Sequence, residues 1–229
     1  EQGITILNDV TLNSVSNDGN KPVITANGQN YTFDAVLYAT GRKPNTANIG
    51  LENTDITTNE RGAIVVNDTC ESSVPGVYAV GDVNGGPQFT YISLDDFRIV
   101  FGALTGNGQY TLKDRKNIPY TTFLTPPLAR IGLTEEDAIN KGYTVKTKEM
   151  LVATMPRAHV NDYLKGAFKI VVNADNDLIL GATLYSQGAE ELINLIKMAM
   201  DNNIPYTYFK NQIFTHPTMA ENLNDLCNF

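Results

Sequence analysis

The stretch "AFKIVVNADNDLILGATLYSQGAEELINLIKMAM", Ala167 to Met200, runs through two hydrophobic periods back to back. In its first part Phe168, Ile170 and Val172 alternate with their neighbours, the period of a half-buried strand. "NADND" supplies turn chemistry and "LILGATLYS" resumes the extended pattern, so the pair reads as a hairpin. Past Gly188 the period changes. Ala189, Leu192, Ile193, Ile196, Ala199 and Met200 stand at i, i+3, i+4, i+7, i+10 and i+11, which is one face of a helix. The C-terminal part of the chain is therefore α+β in pattern.

Working outward, "TTFLTPPLARIGLT" reads as an extended entry and "TEEDAINKG" as a short helix, capped by Thr134 and closed by Gly142. A last helix, "PTMAENLNDL", is expected to begin at Pro217, since proline is tolerated in a first turn. "TGNGQYTLKDRKNIP" is polar without a period and reads as a linker, which places a domain boundary near Lys116. Before it, "ITIL", "VTLNSVS", "PVITA" and "YTFDAVLYA" read as short strands separated by Gly/Asn/Asp turns. "AVLYATG" reads as a buried strand from Ala35 to Ala39 that stops at Thr40-Gly41, the way an α/β sheet delivers backbone to a ligand. A loop from Arg42 to about Ala63 follows, then a second short strand, "GVYAVGD", Gly76 to Asp82. "SLDDFRIVFGAL" reads as a helix with Ser93 as its N-cap.

The bulk properties narrow the function. A net charge of −8 and a pI near 4.7 repel phosphate backbones, which disfavours nucleic-acid binding. Apolar runs such as "FKIVV" are far too short to cross a bilayer, so no membrane role is expected, and no export leader is seen. Cys70 and Cys227 form no C-x-x-C pair, which disfavours a disulfide scaffold or a metal site and suits the reducing cytoplasm. The opening "EQGITIL" lacks an initiator Met, and a fragment or processed product is expected.

Three short motifs carry chemistry. In "YAVGD" a ligand could approach the backbone at Gly81 and Asp82 could offer it a carboxylate; equally, Asp82 could bond its own backbone in a tight turn. "ATGRKPN", Ala39 to Asn45, lies about forty residues upstream. "FTHPTMAE", Phe214 to Glu221, holds one of only two histidines, followed five residues on by a carboxylate. Taken by itself, His216 could be a free imidazole at a helix start with Glu221 as first-turn charge. His159, in "PRAHVND", is expected to be a surface residue.

Taken together and in order, these motifs resemble the pyridine nucleotide-disulfide oxidoreductases, the family of glutathione reductase, dihydrolipoamide dehydrogenase and mercuric reductase. The likeness rests on Ala39-Thr40-Gly41-Arg42-Lys43-Pro44-Asn45, Ala79-Val80-Gly81-Asp82, Phe123-Leu124-Thr125-Pro126 running on to Gly132-Leu133-Thr134-Glu135, and His216 to Glu221. "GGPQFTYISLDDFRIV", "PRAHVND" and "IFTHPTMAENLNDL" are most similar to the bacterial reductases of hypothiocyanous acid and reactive chlorine defence.

The resemblance implies an α/β remnant of nucleotide-binding domains plus a C-terminal α+β dimerisation domain, an antiparallel sheet with helices. It implies a remnant of the NAD(P)H domain over 1–41, the returning FAD-domain segment over 42–115 and the dimerisation domain over 116–229. The cofactors would be FAD and NAD(P)H and the assembly a homodimer. Electrons would pass to a small-molecule oxidant or disulfide substrate. His216 would be the acid/base at the partner subunit's redox cysteines, oriented by Glu221. Asp82 would hold the flavin's ribityl chain, with Gly81 allowing close approach and Thr90 in the connecting loop. Gly41 and Arg42 mark the return to the flavin domain; Arg42 would steady cofactor phosphate or solvate the loop. The family's glycine fingerprints and C-x-x-x-x-C are absent from these 229 residues, so the chain taken alone is expected to be inactive. Mercuric reductases carry a C-terminal cysteine pair, and Cys227 stands alone, which disfavours mercury. Two other readings are a non-catalytic dimerisation module and a flavin-dependent metal-ion reductase.

Overall fold

The computed structural model describes residues 3–229, in two compact units. The first comprises residues 3–66 and 72–93 and the second residues 67–71 and 94–229.

In the first unit β1 (Leu12–Asn17), β2 (Pro22–Ala26) and β3 (Gln29–Thr32) form an antiparallel meander. Ala26 pairs with Gln29, leaving Asn27-Gly28 as a two-residue turn with φ of 50° and 76°. Positive φ at both positions defines the turn whose twist matches a hairpin, and Asn-Gly is its preferred sequence. The side chains of β1 support it: the N–H of Gly28 donates to Asn13 Oδ1 at 3.2 Å.

Three expected strands do not form. Ile4–Leu7 and Ala35–Ala39 are irregular, and Leu37 is 90% exposed. An apolar run becomes a strand only beside a hydrogen-bonding neighbour, and none runs along Ala35–Ala39 among the described residues. The stretch Gly76–Val80 is likewise no named strand, and Gly81–Asn84 curls into a 3-10 turn.

Helix α1 spans Thr90–Thr105, so it starts three residues before the expected cap. Phe89 O already accepts from the N–H groups of Ile92 and Ser93, and Ser93 lies inside the first turn. Thr90 is therefore the first helical residue and not a loop residue. The polar stretch after α1 is anchored. Arg115, 11% exposed at its side chain, pairs with Asp95 at 2.7 Å and with the fully buried Asp96. Tyr110 donates its hydroxyl to Asp95 at 3.3 Å.

The second unit is built on a five-stranded antiparallel sheet. In chain order its strands are β4 (Tyr120–Thr122), β5 (Leu128–Gly132), β6 (Val145–Leu151), β7 (Ala167–Asn173) and β8 (Ile179–Tyr185); in space they run β4-β5-β8-β7-β6. The β7–β8 hairpin forms as the alternation predicts. Phe168, Ile170, Val172 and Leu184 are buried on the face that meets the helices. Gly166, at φ 122°, lets the hairpin's approach pass close to β8, because a Cβ there would sit 1.8 Å from Tyr185 O. The edge strand β6, "VKTKEML", escaped the sequence reading; its two lysines and a glutamate give no apolar run, and such charges are common on edges.

Helix α2 (Glu135–Asn140) begins on a capping box between Thr134 and Asp137, and Gly142 takes φ 84° just past its end. A short α3 (Pro156–Val160) follows β6, and its exposed His159 bonds Ala153 O through Nε2 at 2.8 Å. Helix α4 (Ala189–Asp201) buries Ala189, Leu192, Ile193, Ile196 and Ala199, and Met200 packs partly buried against the same core. Two more helices complete this core, α5 (Tyr206–Asn211) and α6 (Asn222–Leu226), with Phe209, Leu223, Leu226 and Cys227 buried in it. The last helix thus starts five residues later than expected, and Pro217 lies in the preceding loop behind a cis bond to His216. None of the helices among the described residues is long and apolar enough to cross a membrane.

Candidate functional site

The candidate residues fall in both units. In the first unit Gly41 (φ 101°) and Gly81 (φ 73°) are both in the left-handed region that favours glycine. At Gly81 space adds a second demand. A Cβ would meet Ser93 Oγ at 2.5 Å, so the turn packs directly on the first turn of α1. Arg42 and Asp82, forty residues apart in sequence, meet through Nη1 and Oδ2 at 3.2 Å. The pair is open to solvent, with side chains 73% and 41% exposed, so it contributes little stability. An ionised carboxylate with one such bond keeps acceptor capacity for ligand hydroxyls. Arg42 is thus engaged with Asp82, a third possibility beside phosphate contact and solvation. Thr90 is exposed at the head of α1.

In the second unit the loop between α5 and α6 carries His216 and Glu221. His216 Nδ1 and Glu221 Oε2 are 2.7 Å apart. The imidazole is 68% exposed and the carboxylate only 18%. Its bond to His216 first, and then the N–H of Thr218, hold the Glu221 carboxyl below the usual carboxylate range. An ionised carboxylate only accepts, so neutral His216 carries its proton on Nδ1 and presents Nε2 as the free nitrogen. Such a pair can take up and return a proton at Nε2 while Glu221 fixes the tautomer.

The loop itself is held at both ends. Asn224 Nδ2 donates to Phe209 O at 2.6 Å and to Gln212 O at 2.9 Å, capping the end of α5. The buried Asn222 Nδ2 donates to Thr218 O and Met219 O, each at 3.1 Å. Lys148 donates to Asp225 O and Asn228 O at 2.7 and 2.5 Å, a cation at the C-terminus of α6. The sequence reading passed over these side chains; the spacing T-x-x-E in "THPTMAE" was the one signal that could have found Thr218.

The two cysteines are shut away. Both are fully buried, and burial first, then the charge of Asp96, pushes the Cys70 thiol up to about 11. Burial likewise pushes Cys227 up to about 12. A thiol reagent at pH 8 is therefore expected to modify neither in the native chain and both in denaturant. One fast-reacting equivalent in native protein would contradict this. Among the described residues no group of three or more His, Cys, Asp or Glu could hold a metal ion.

The first unit thus carries a glycine-backed carboxylate beside the first turn of α1, and the second a hydrogen-bonded His–Glu pair on a domain of helices and an antiparallel sheet. Two family models match the chain: pyridine nucleotide-disulphide oxidoreductase over residues 1–96, and the dimerisation domain of that family over 118–227. The chain belongs to the pyridine nucleotide-disulphide oxidoreductase family, whose members use FAD and NAD(P)H.

Within it, the chain is 43% identical to the probable pyridine nucleotide-disulfide oxidoreductase RclA of Escherichia coli, over 99% of this chain and 51% of that protein. It is 35% identical to a mercuric reductase of Staphylococcus aureus, over 97% of this chain and 41% of that one. The solved HOCl-induced flavoprotein disulfide reductase RclA from E. coli superposes with a TM-score of 0.90, covering 95% of this chain and 50% of that one. LpdA of Mycobacterium tuberculosis, 22% identical with a TM-score of 0.88, covering 98% of this chain and 49% of that one, shares the fold. The chain spans about half the length of these relatives.

Proposed function

We propose that this chain is the C-terminal part of a homodimeric, cytoplasmic reductase of small disulfide-like or oxidant substrates that uses FAD and NAD(P)H. The observation that carries the reading is the 2.7 Å His216–Glu221 contact on an exposed loop of a dimerisation domain. Residues 1–41 then close the NAD(P)H domain, 42–115 return to the flavin domain and 116–229 form the dimerisation domain.

Bound FAD, reduced by NAD(P)H, supplies the electron pair. In this chain Asp82 would accept from hydroxyls of that cofactor, Gly81 would let it approach, and Arg42 holds the carboxylate in place. Gly41 turns the chain into this segment, and the amides at the start of α1, from Thr90, would stabilise negative charge on the reduced cofactor. The remaining chemistry is at sulfur. A thiolate of a cysteine pair in the partner subunit attacks one sulfur of the substrate disulfide, and the S–S bond breaks. His216 Nε2 takes the proton of the attacking thiol as that thiolate forms, and the imidazolium returns it to the departing sulfur, with Glu221 stabilising the charged ring between the two steps. The second thiol of the pair gives its proton to the same nitrogen in the exchange that closes the pair's disulfide and releases the remaining half of the substrate.

Anaerobic stopped-flow on the intact enzyme tests this. NAD(P)H should bleach the flavin, and a disulfide or hypothiocyanous acid should restore it in a second phase that vanishes when the cysteine pair is alkylated. A second phase indifferent to alkylation would overturn the proposal. The mercuric reductases among the relatives favour one rival, a metal-ion reductase on the same scaffold. It would gain support if a metal ion were reduced with the thiols blocked.

A further inference from the structure

Glu221 divides its two oxygens between two tasks. Oε2 meets the imidazole, while Oε1 accepts the N–H of Thr218 at 3.1 Å. In return the N–H of Glu221 donates to Thr218 Oγ1 at 3.2 Å, and the Thr218 hydroxyl hydrogen goes to Thr215 O at 2.8 Å. This reciprocal exchange across T-x-x-E is a capping box. It closes a turn that runs on through Asn222 N to Met219 O and Leu223 N to Ala220 O into α6. The box satisfies backbone donors whether or not the imidazole is present, so the carboxylate is aimed before His216 reaches it.

Building on the catalytic reading above, we propose that Thr218 is a positioning residue for the His216–Glu221 pair. Its hydroxyl locks the turn that presents Glu221 Oε2 to Nδ1 and so leaves Nε2 as the working nitrogen. The surroundings suit that task. Phe214, Met219 and Ala220 pack against the core on either side, and the Asn224 and Asn222 amides fix the loop ends. His216 itself remains exposed, so nothing else among the described residues sets its tautomer.

The test compares Thr218→Val and Thr218→Ala, which lose the hydroxyl, with Thr218→Ser, which keeps it. In the 229-residue chain, nitrogen NMR of His216 reads the tautomer and carbon NMR of Glu221 reads its titration. Val and Ala should mix the two tautomers and move the Glu221 titration up toward the ordinary range of about 4.3; Ser should behave as the natural residue does. In the intact enzyme the substrate-reducing step should slow about tenfold in Val and Ala, less than the loss of the acid/base itself. Its acid limb, set by the ionisation of Glu221, should move to higher pH.

Unchanged tautomer and titration in both hydroxyl-free variants, with circular dichroism showing a native fold, would overturn the role given to Thr218. If instead His216→Ala left the substrate-reducing step untouched, the catalytic reading would fall. The NMR comparison would still decide whether Thr218 orients the pair.

Discussion

Replacing His216 with alanine in the intact enzyme is expected to slow the substrate-reducing half-reaction by about 10²–10⁴-fold and to leave flavin reduction by NAD(P)H nearly unchanged. The split follows from where the imidazole stands. Its Nδ1 is held by Glu221, which leaves Nε2 as the exposed ring nitrogen that can exchange a proton with sulfur. Alanine removes the shuttle and keeps the loop, because the bonds of Asn224, Asn222 and Thr218 do not involve the ring. Glu221→Gln should cost less, since its carbonyl can still accept from Nδ1 but no longer stabilises a positive ring. Rapid-mixing traces of the two half-reactions decide it. A fall in flavin reduction equal to the fall in substrate reduction would mean that His216 serves cofactor binding or folding, not proton transfer at sulfur.

The largest stability effect is expected from Phe168→Ala, about 3–5 kcal/mol. Phe168 is fully buried near the start of β7, opposite Leu184 of β8 on one side and Met150 of β6 on the other. Its ring fills the layer between the sheet and the helices, so truncation loses both its transfer free energy and the packing around the hole. Strands hydrogen-bonded on both sides cannot close that hole by sliding, since a one-residue slip would turn Ile170 and Val172 outward as well. Against a total stability of about 5–15 kcal/mol this is a large share. Urea unfolding should show a lower midpoint with an unchanged slope for the second unit. A loss under about 1 kcal/mol would mean that the core does not rest on this ring. Phe168→Leu should cost less because it keeps most of the volume.

The hairpin and α4 were legible because each side chain's burial there is set by a local period. Phe168, Ile170 and Val172 face one way in any strand, and Leu192, Ile193 and Ile196 share a face in any helix. Thr134 and Gly142 were legible as caps for the same reason, since an orphaned backbone donor or a left-handed residue is satisfied within a few positions. The Ala35–Ala39 run failed where that logic stops. Its apolar side chains say that something should cover them, but a strand also needs a hydrogen-bonding neighbour, which its own residues cannot supply.

The identities that point to chemistry were likewise in the sequence: a histidine with a carboxylate five residues on, and Gly-Asp closing an extended stretch. Their arrangement was not. The pairing of Arg42 with Asp82 and the anchoring of Arg115 on Asp95 and Asp96 are contacts across a folded chain, and even His216 and Glu221, five residues apart, meet only through the turn that closes between them. Local pattern fixes the direction in which a side chain leaves its own backbone. Only the tertiary fold decides which group waits there, because that group comes from a part of the chain whose distance in space no period encodes.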